Sequence, residues 1–215
     1  MHKNILITGG TSKISYHLKK IIPKKYNIYS PNREEWDLSN LNFDKKKIDL
    51  IKKCDRIFLC HSILSDKEHL LKNDNEIHKQ LNINLLSKIK ICEISLKYNP
   101  KARIFIIGSE SGLKGSYDIV YGLSKASINK YVEERKIFNK GQQLICIAPS
   151  TIIDGKMTLK RKDIKNVHKS VKNNPKRRGL YSKEISKLIY DLSFKNTDYL
   201  TNTVINVNGG KFSRM

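Results

Sequence analysis

Short apolar runs of strand length alternate along the chain with longer stretches of helical period. Ile5 to Thr8 precedes Ile14 to Ile22, Asn27 to Ser30 precedes Phe43 to Lys53, and Arg56 to Cys60 precedes Ile77 to Tyr98. Arg103 to Gly108 precedes Tyr121 to Phe138, Gln143 to Ala148 reads as a buried strand, and Ile185 to Phe194 leads into Val204 to Val207. Strands without period-two alternation are covered on both faces, and strands that alternate with helices pair in parallel. The pattern therefore predicts an α/β chain with a doubly wound parallel sheet, folded as a single domain over residues 1–215. Pro23, Pro31, Pro100, Pro149 and Pro175 all fall at element ends, as proline's missing N–H requires. Across residues 150–182 the pattern loosens into a basic, polar insert with no strand, of the kind that forms a lid or substrate loop.

A length of 215 residues suffices for one full core and is short for two domains. Every hydrophobic stretch is interrupted by charge or proline and the mean hydropathy is −0.50, so neither a spanning helix nor a signal-peptide core is expected. Cys54, Cys60, Cys92 and Cys146 lack C-x-x-C spacing, which argues for reduced thiols in a cytoplasmic protein. His69 and His78 stand in a polar stretch without metal-ligand spacing, and no metal is expected. A formal net charge of +22 raises nucleic-acid or polyanion binding. The lysines are spread over nearly every helix and loop, and the densest basic segment, Lys156 to Arg178, lacks interleaved aromatics on which bases could stack. A solvated surface that also attracts anionic substrates is the plainer reading, and RNA binding stays open as an alternative.

Open parallel sheets bind ligands beyond the carboxyl ends of their strands, near the switch in strand order. Gly9, Arg33, Cys60, His61, Ser62, Ser109 and Pro149 all follow predicted strands. Tyr121 and Lys125 are four residues apart at the start of a helix, with Ser109 twelve residues upstream. That spacing puts phenol and ammonium on one helix face, where the cation is expected to lower the phenol pKa from about 10 toward neutrality and make Tyr121 a general acid or base. Each residue also has a plainer role: Ser109 as a turn cap, Asp37 as a cap after Trp36, His61 as a packed side chain, Cys60 and Cys146 as small core residues.

Taken in order, these residues resemble the short-chain dehydrogenase/reductase family over nearly the whole chain. Thr8-Gly9-Gly10-Thr11-Ser12-Lys13-Ile14-Ser15 is similar to its glycine-rich cofactor turn, and Asp37-Leu38 to its adenine-contacting Asp. Leu59-Cys60-His61-Ser62 stands where N-N-A-G is usual, and Ile83-Asn84-Leu85 resembles the Asn-bearing helix. Ser109, Tyr121 and Lys125 match the catalytic set, and Pro149-Ser150 the P-G position. Pro175 to Ile185 and Val204 to Gly210 match the later landmarks. Lys13 and Ser15 replace glycines of the first turn, and the N-N-A-G segment is missing; both departures motivate an alternative in which the fold is kept as a dinucleotide-binding regulatory protein with little or no turnover.

The resemblance implies a Rossmann fold and an oxidoreductase that moves a hydride between nicotinamide and a carbonyl or secondary alcohol. Tyr121 is then the proton donor, Ser109 orients the carbonyl oxygen, Lys125 binds the nicotinamide ribose, and Asn84, with Asn82 as the alternative register, holds a backbone geometry and a water for proton exchange. The cofactor set implied is Gly9, Thr11, Ser12, Lys13, Ile14, Arg33, Asp37, Leu38, Cys60, His61, Ser62, Tyr121, Lys125, Pro149 and Ile152. Arg33 after the second strand favours the 2′-phosphate of NADP over NAD. The resemblance also implies a homodimer or homotetramer. The cations of the insert point to an anionic or nucleotide-linked small molecule as substrate.

Overall fold

The computed structural model describes residues 3–65, 73–161, 163–195 and 197–211, so that His69 and, within the basic insert, Lys162 lie outside the described residues. Its strands are β1 (Lys3–Thr8), β2 (Tyr26–Tyr29), β3 (Cys54–Leu59), β4 (Arg103–Ile107), β5 (Gln143–Pro149) and β6 (Thr203–Val207). They form a parallel sheet in the order β2-β1-β3-β4-β5-β6. The order reverses between β1 and β3, which places the carboxyl ends of those two strands at the edge where such sheets bind ligands.

Alternate strand residues serve opposite faces, and both faces are covered. Leu6, Ile57, Ile104, Ile106 and Leu144 pack into one buried cluster against helices α2 (Lys45–Lys53), α4 (Ser87–Tyr98) and α6 (Ile119–Glu134). Ile5, Ile7, Phe58, Phe105 and Ile147 pack on the other side against α1 (Lys13–Ile21) and α9 (Ser182–Phe194). Central strands read as continuous apolar runs because each of their side chains enters one core or the other.

Three departures from the sequence pattern bear on the site. The stretch from Ile77 to Tyr98 is not one uniform helix: α3 (Asp74–Leu81) passes through a π-turn (Asn82–Leu86) before α4 begins. The Ser87 N–H reaches back to the Asn82 carbonyl, and the Ser87 hydroxyl donates to the Ile83 carbonyl at 3.0 Å. The helix bearing Tyr121 ends at Glu134 instead of Phe138, where the Asn202 side-chain amide donates to the carbonyls of Val132 and Arg135. The insert holds two further helices, α7 (Lys156–Leu159) and α8 (Ile164–Lys172). It also makes a single parallel bridge between Ile152 and Leu180. The short α5 (Ser111–Lys114) follows β4.

Candidate active site

A cleft of about 820 Å³ opens along the carboxyl edge of the sheet. Every residue assigned by sequence to cofactor binding lines it, from Gly9 and Lys13 through Arg33, Asp37, Cys60, His61 and Ser62 to Pro149 and Ile152, and so do Ser109, Tyr121 and Lys125. Asn84 does not line it and is wholly buried.

At one end the chain leaves β1 through Gly9, whose φ of +71° suits glycine. A Cβ there would lie 2.8 Å from the backbone nitrogen of His61. Ser12 caps α1 by accepting from the Ser15 N–H at 3.1 Å. The fully buried Ser15 donates to the Gly9 carbonyl at 2.9 Å and accepts from Ser12 Oγ at 2.8 Å. Its Cβ therefore sits beneath the turn and leaves the cleft side of the cradle open. Lys13 is exposed at the start of α1, where free N–H groups and the helix dipole favour a phosphate. Gly-rich turn, helix start and cleft thus fit a dinucleotide.

The turn after β2 is built around Asn32, whose side chain accepts from the N–H groups of Glu34 and Glu35. It leaves Arg33 exposed on the cleft. Asp37 also lines the cleft, and its carboxylate accepts from the Ser39 N–H at 2.9 Å, which holds it below the usual carboxylate range. Trp36, which sequence reasoning left aside, lines the same end, and its buried Nε1 has no hydrogen-bond partner in the structure.

His61 and Cys60 form part of the wall between the two ends. Nδ1 of His61 lies 2.6 Å from Thr8 Oγ1 and Nε2 lies 3.1 Å from Ser87 Oγ. Burial, followed by the nearby Lys88 and Lys125, pushes its pKa well below the ordinary imidazole value, so His61 is a neutral strut. Burial raises the Cys60 thiol to about 12, which leaves it inert.

Asn84 holds the Ser62-Ile63 segment from behind. Its Oδ1 accepts from Ser62 Oγ and from the Ile63 N–H, each at 2.8 Å, and its Nδ2 donates to the Ile63 carbonyl at 2.9 Å. All of these contacts are structural and none reaches Lys125. The Asn82 side chain turns the other way, to the Ser39 carbonyl.

At the far end, Asp118 caps α6 by accepting from the Tyr121 N–H at 3.0 Å, and it also accepts from Ser65 N and Gln80 Nε2. The loop after Ser109 lies directly on this helix: a Cβ at Gly112 would come within 2.7 Å of the Lys125 carbonyl, a contact only glycine permits. The Ser109 hydroxyl is close enough to the Tyr121 phenol to favour its ionised form. Lys125 Nζ lies 5.2 Å from the centre of the Tyr121 ring and donates to the Ile107 carbonyl at 3.1 Å.

The electrostatics correct one expectation. Burial raises the Tyr121 phenol to about 12, opposed by the Ser109 hydrogen bond. The expected lowering by Lys125 does not follow, because burial and the neighbouring Lys88 push the Lys125 pKa itself well below its ordinary value. Tyr121 is accordingly a phenol held protonated at neutral pH, suited to giving a proton.

Lys88, Glu110 and Arg161 were missed by sequence reasoning. Glu110 follows Ser109, is buried, and receives Lys114 Nζ at 3.0 Å and Lys211 Nζ at 3.4 Å. Arg161 faces the Tyr117 ring at 5.0 Å and is held by Asp163 through bonds of 2.7 and 2.5 Å. Spacing could have flagged Lys88, one helical turn past Asn84. Among the described residues no group of three or more His, Cys, Asp or Glu side chains could hold a metal.

A scan against protein-family models found no match, and a search of curated proteins likewise found none. Solved structures do match. A short-chain dehydrogenase family protein from Francisella tularensis superposes with a TM-score of 0.81 at 21% identity, covering 98% of each chain. A 4-hydroxyisoleucine dehydrogenase complexed with NADH gives 0.80 at 20% identity over 100% of both chains. A 3-oxoacyl-(acyl-carrier-protein) reductase from Agrobacterium tumefaciens with NADP bound gives 0.78 at 17% identity, covering 96% of this chain and 93% of the other. Over essentially its whole length, the chain has the fold of the short-chain dehydrogenases and reductases.

Proposed function

We propose that the chain is a short-chain oxidoreductase that reduces a carbonyl, or oxidises a secondary alcohol, of a small molecule with a nicotinamide cofactor, NADP in preference to NAD. The observation that carries this reading is that Ser109, Tyr121 and Lys125 line one cleft at the carboxyl edge of the sheet, with Lys125 one turn along the helix of Tyr121. It faces the same cleft as the glycine turn at the start of α1. Similar folds solved with NADH and with NADP support the cofactor class.

The turn at Gly9, the start of α1 and Lys13 would hold the pyrophosphate, Arg33 the ribose 2′-phosphate, and Lys125 the nicotinamide ribose. The nicotinamide supplies or accepts the hydride. In the reductive direction Tyr121 donates its proton to the carbonyl oxygen as negative charge develops there, and Ser109 hydrogen-bonds the same oxygen and fixes its position. A phenol raised to about 12 is fully loaded at neutral pH, which favours reduction. Asn84 is a positioning residue that fixes the wall at Ser62 and Ile63.

Exposed Lys13, Arg33 and Lys156 on the cleft support an anionic or nucleotide-linked substrate. Residues 150–182, with α7 and α8, are read as its substrate loop within a single domain. The exposed apolar side chains Leu86, Ile119 and Leu123, beside the Asn84 and Tyr121 motifs, support a homodimer or homotetramer. The four buried free cysteines fit the reducing cytoplasm. No described helix is long and apolar enough to cross a membrane.

Fluorescence titration with NADPH and NADH, followed by cofactor oxidation assays over a panel of aldehydes, ketones and keto acids, tests the reading. Binding of NADPH with turnover of at least one carbonyl is expected. Binding without turnover across the panel would favour the regulatory alternative, and salt-sensitive RNA binding indifferent to cofactor would favour the polyanion alternative.

A further inference from the structure

Lys88 and Lys125 arrive at one point from two helices. Lys88 on α4 donates to the Ile107 carbonyl at 3.0 Å and Lys125 on α6 donates to the same oxygen at 3.1 Å. Both side chains are 0% exposed, so the two amines share one buried acceptor. An amine that gives up its charge gains a lone pair with which it can accept from its neighbour, whereas an ammonium ion has none.

Among the described residues, no carboxylate acts on the charge of either amine. The titratable groups that face the pair are His61 at the end of β3, Cys60 beside it, Cys92 on α4, Cys146 on β5 and Tyr121 on α6, whose phenol burial raises to about 12. His61 is neutral, and burial raises all three thiols, Cys60 to about 12 and Cys146 to about 11. Two ammonium ions on one carbonyl oxygen, buried without an anion, would repel at short range where water does not screen them.

We propose that Lys88 is a positioning residue that makes, with Lys125, a two-lysine unit carrying a single positive charge, so that the amine serving Tyr121 is one half of a shared-charge pair. In the direction of the shifts, burial lowers Lys88 to about 8 and holds Lys125 well below its ordinary value. The catalytic consequence rests on the oxidoreductase reading: proton supply toward Tyr121 runs through an amine pair that changes charge near neutrality. The charge count itself stands on the geometry, whether or not the site moves hydride.

The deciding experiment is NMR of the full chain labelled with 15N on lysine Nζ, with Lys88→Met and Lys125→Met used to assign the two resonances. At pH 7 the expected result is one proton fewer than two full ammonium ions, seen as one neutral-amine signal or one exchange-averaged pair. Two separate ammonium signals at pH 7 would overturn the proposal. A second measurement follows unfolding of wild type and Lys88→Met between pH 7 and 10.5. A lysine lowered in the folded state to about 8, from 10.5, is protonated more in the unfolded chain across that window, so wild-type stability rises with pH there. The advantage of Lys88→Met is thus expected to be largest below pH 8 and to vanish by pH 10.5. A difference independent of pH would mean that Lys88 is only packing and would overturn the proposal. If Lys88→Met does not fold, Lys88→Gln assigns the resonances, and the count on the unmodified protein decides. Loss of hydride transfer with the single-charge count intact would sink the oxidoreductase reading alone.

Discussion

The hydroxyl of Thr8 and Nδ1 of His61 lie 2.6 Å apart, joining the carboxyl ends of β1 and β3 across the point where strand order reverses. Through Nε2 the same imidazole reaches Ser87 at the start of α4. One buried side chain thus fixes two strands and a helix that together form the floor of the cleft. Cys60 and His61 stand where a glycine-containing segment is usual in the resembling family, and the ring here fills that wall.

This arrangement predicts a pH dependence of stability. The folded pKa of His61 is depressed, so the unfolded chain binds the extra proton as pH falls below about 6.5. The contribution of His61 is therefore fully present above that pH and is lost on acidification. Replacing His61 by Phe should cost about 1–3 kcal/mol at pH 8, because the partners at Thr8 and Ser87 lose a bond. It should also flatten the stability profile between pH 5 and 7. Thermal melts of both proteins over that range check it, and parallel profiles would refute it.

Tyr121→Phe removes the proton donor while keeping the ring that packs beneath Lys125. Hydride transfer should fall by about 10²–10⁴ or more, whereas the affinity for NADPH should change by less than about threefold, since the ring keeps its place. Stopped-flow reduction and equilibrium titration separate the two quantities. Equal losses in both would mean that Tyr121 supports binding and is not the proton donor.

Much of this site was legible in the sequence because its residues follow apolar strands whose pattern is set by two-sided burial. Ser109, Tyr121, Lys125 and Gly9 needed only the strand positions and helical spacing, whereas Thr11 to Ile14 came with the family resemblance. The π-turn at Asn84 was not legible: it depends on bonds to Ser62 and Ile63, more than twenty residues away in sequence. For Lys88, spacing alone pointed to the Asn84 face but not to burial. A lysine in a helix reads as solvated, and its burial at 0% exposure is set by how α4 meets α6 on Ile107. For the same reason, spacing placed Lys125 near Tyr121 but gave the wrong direction for the phenol, because proximity is local whereas desolvation is tertiary.

Ser15 provides a further test, since a family resemblance alone would suggest that glycine there improves the cofactor turn. In this chain the Ser15 hydroxyl bonds Gly9 and Ser12 beneath the cradle. Ser15→Gly should therefore destabilise the protein by about 1–2 kcal/mol, through a lost hydrogen bond and a glycine in the first turn of α1. NADPH affinity should not improve. Denaturant midpoints and a titration report both, and a tighter, equally stable variant would show that Ser15 obstructs the site.

Arg33 decides cofactor choice if the adenosine end lies where the cleft places it. Its guanidinium is exposed beside the Asn32 turn, and the nearby Asp37 carboxylate is occupied by the Ser39 N–H. A 2′-phosphate would find a bidentate donor there, whereas the 2′-hydroxyl of NADH would gain little from a cation. Arg33→Asp should weaken NADPH binding by about 1–3 kcal/mol, the scale of one charge-assisted contact, and leave NADH within about threefold. The loss should shrink as salt is raised, because the side chain is exposed and screened. Equal weakening of both cofactors would show that Arg33 shapes the turn without reading the phosphate, and would remove the support for NADP over NAD.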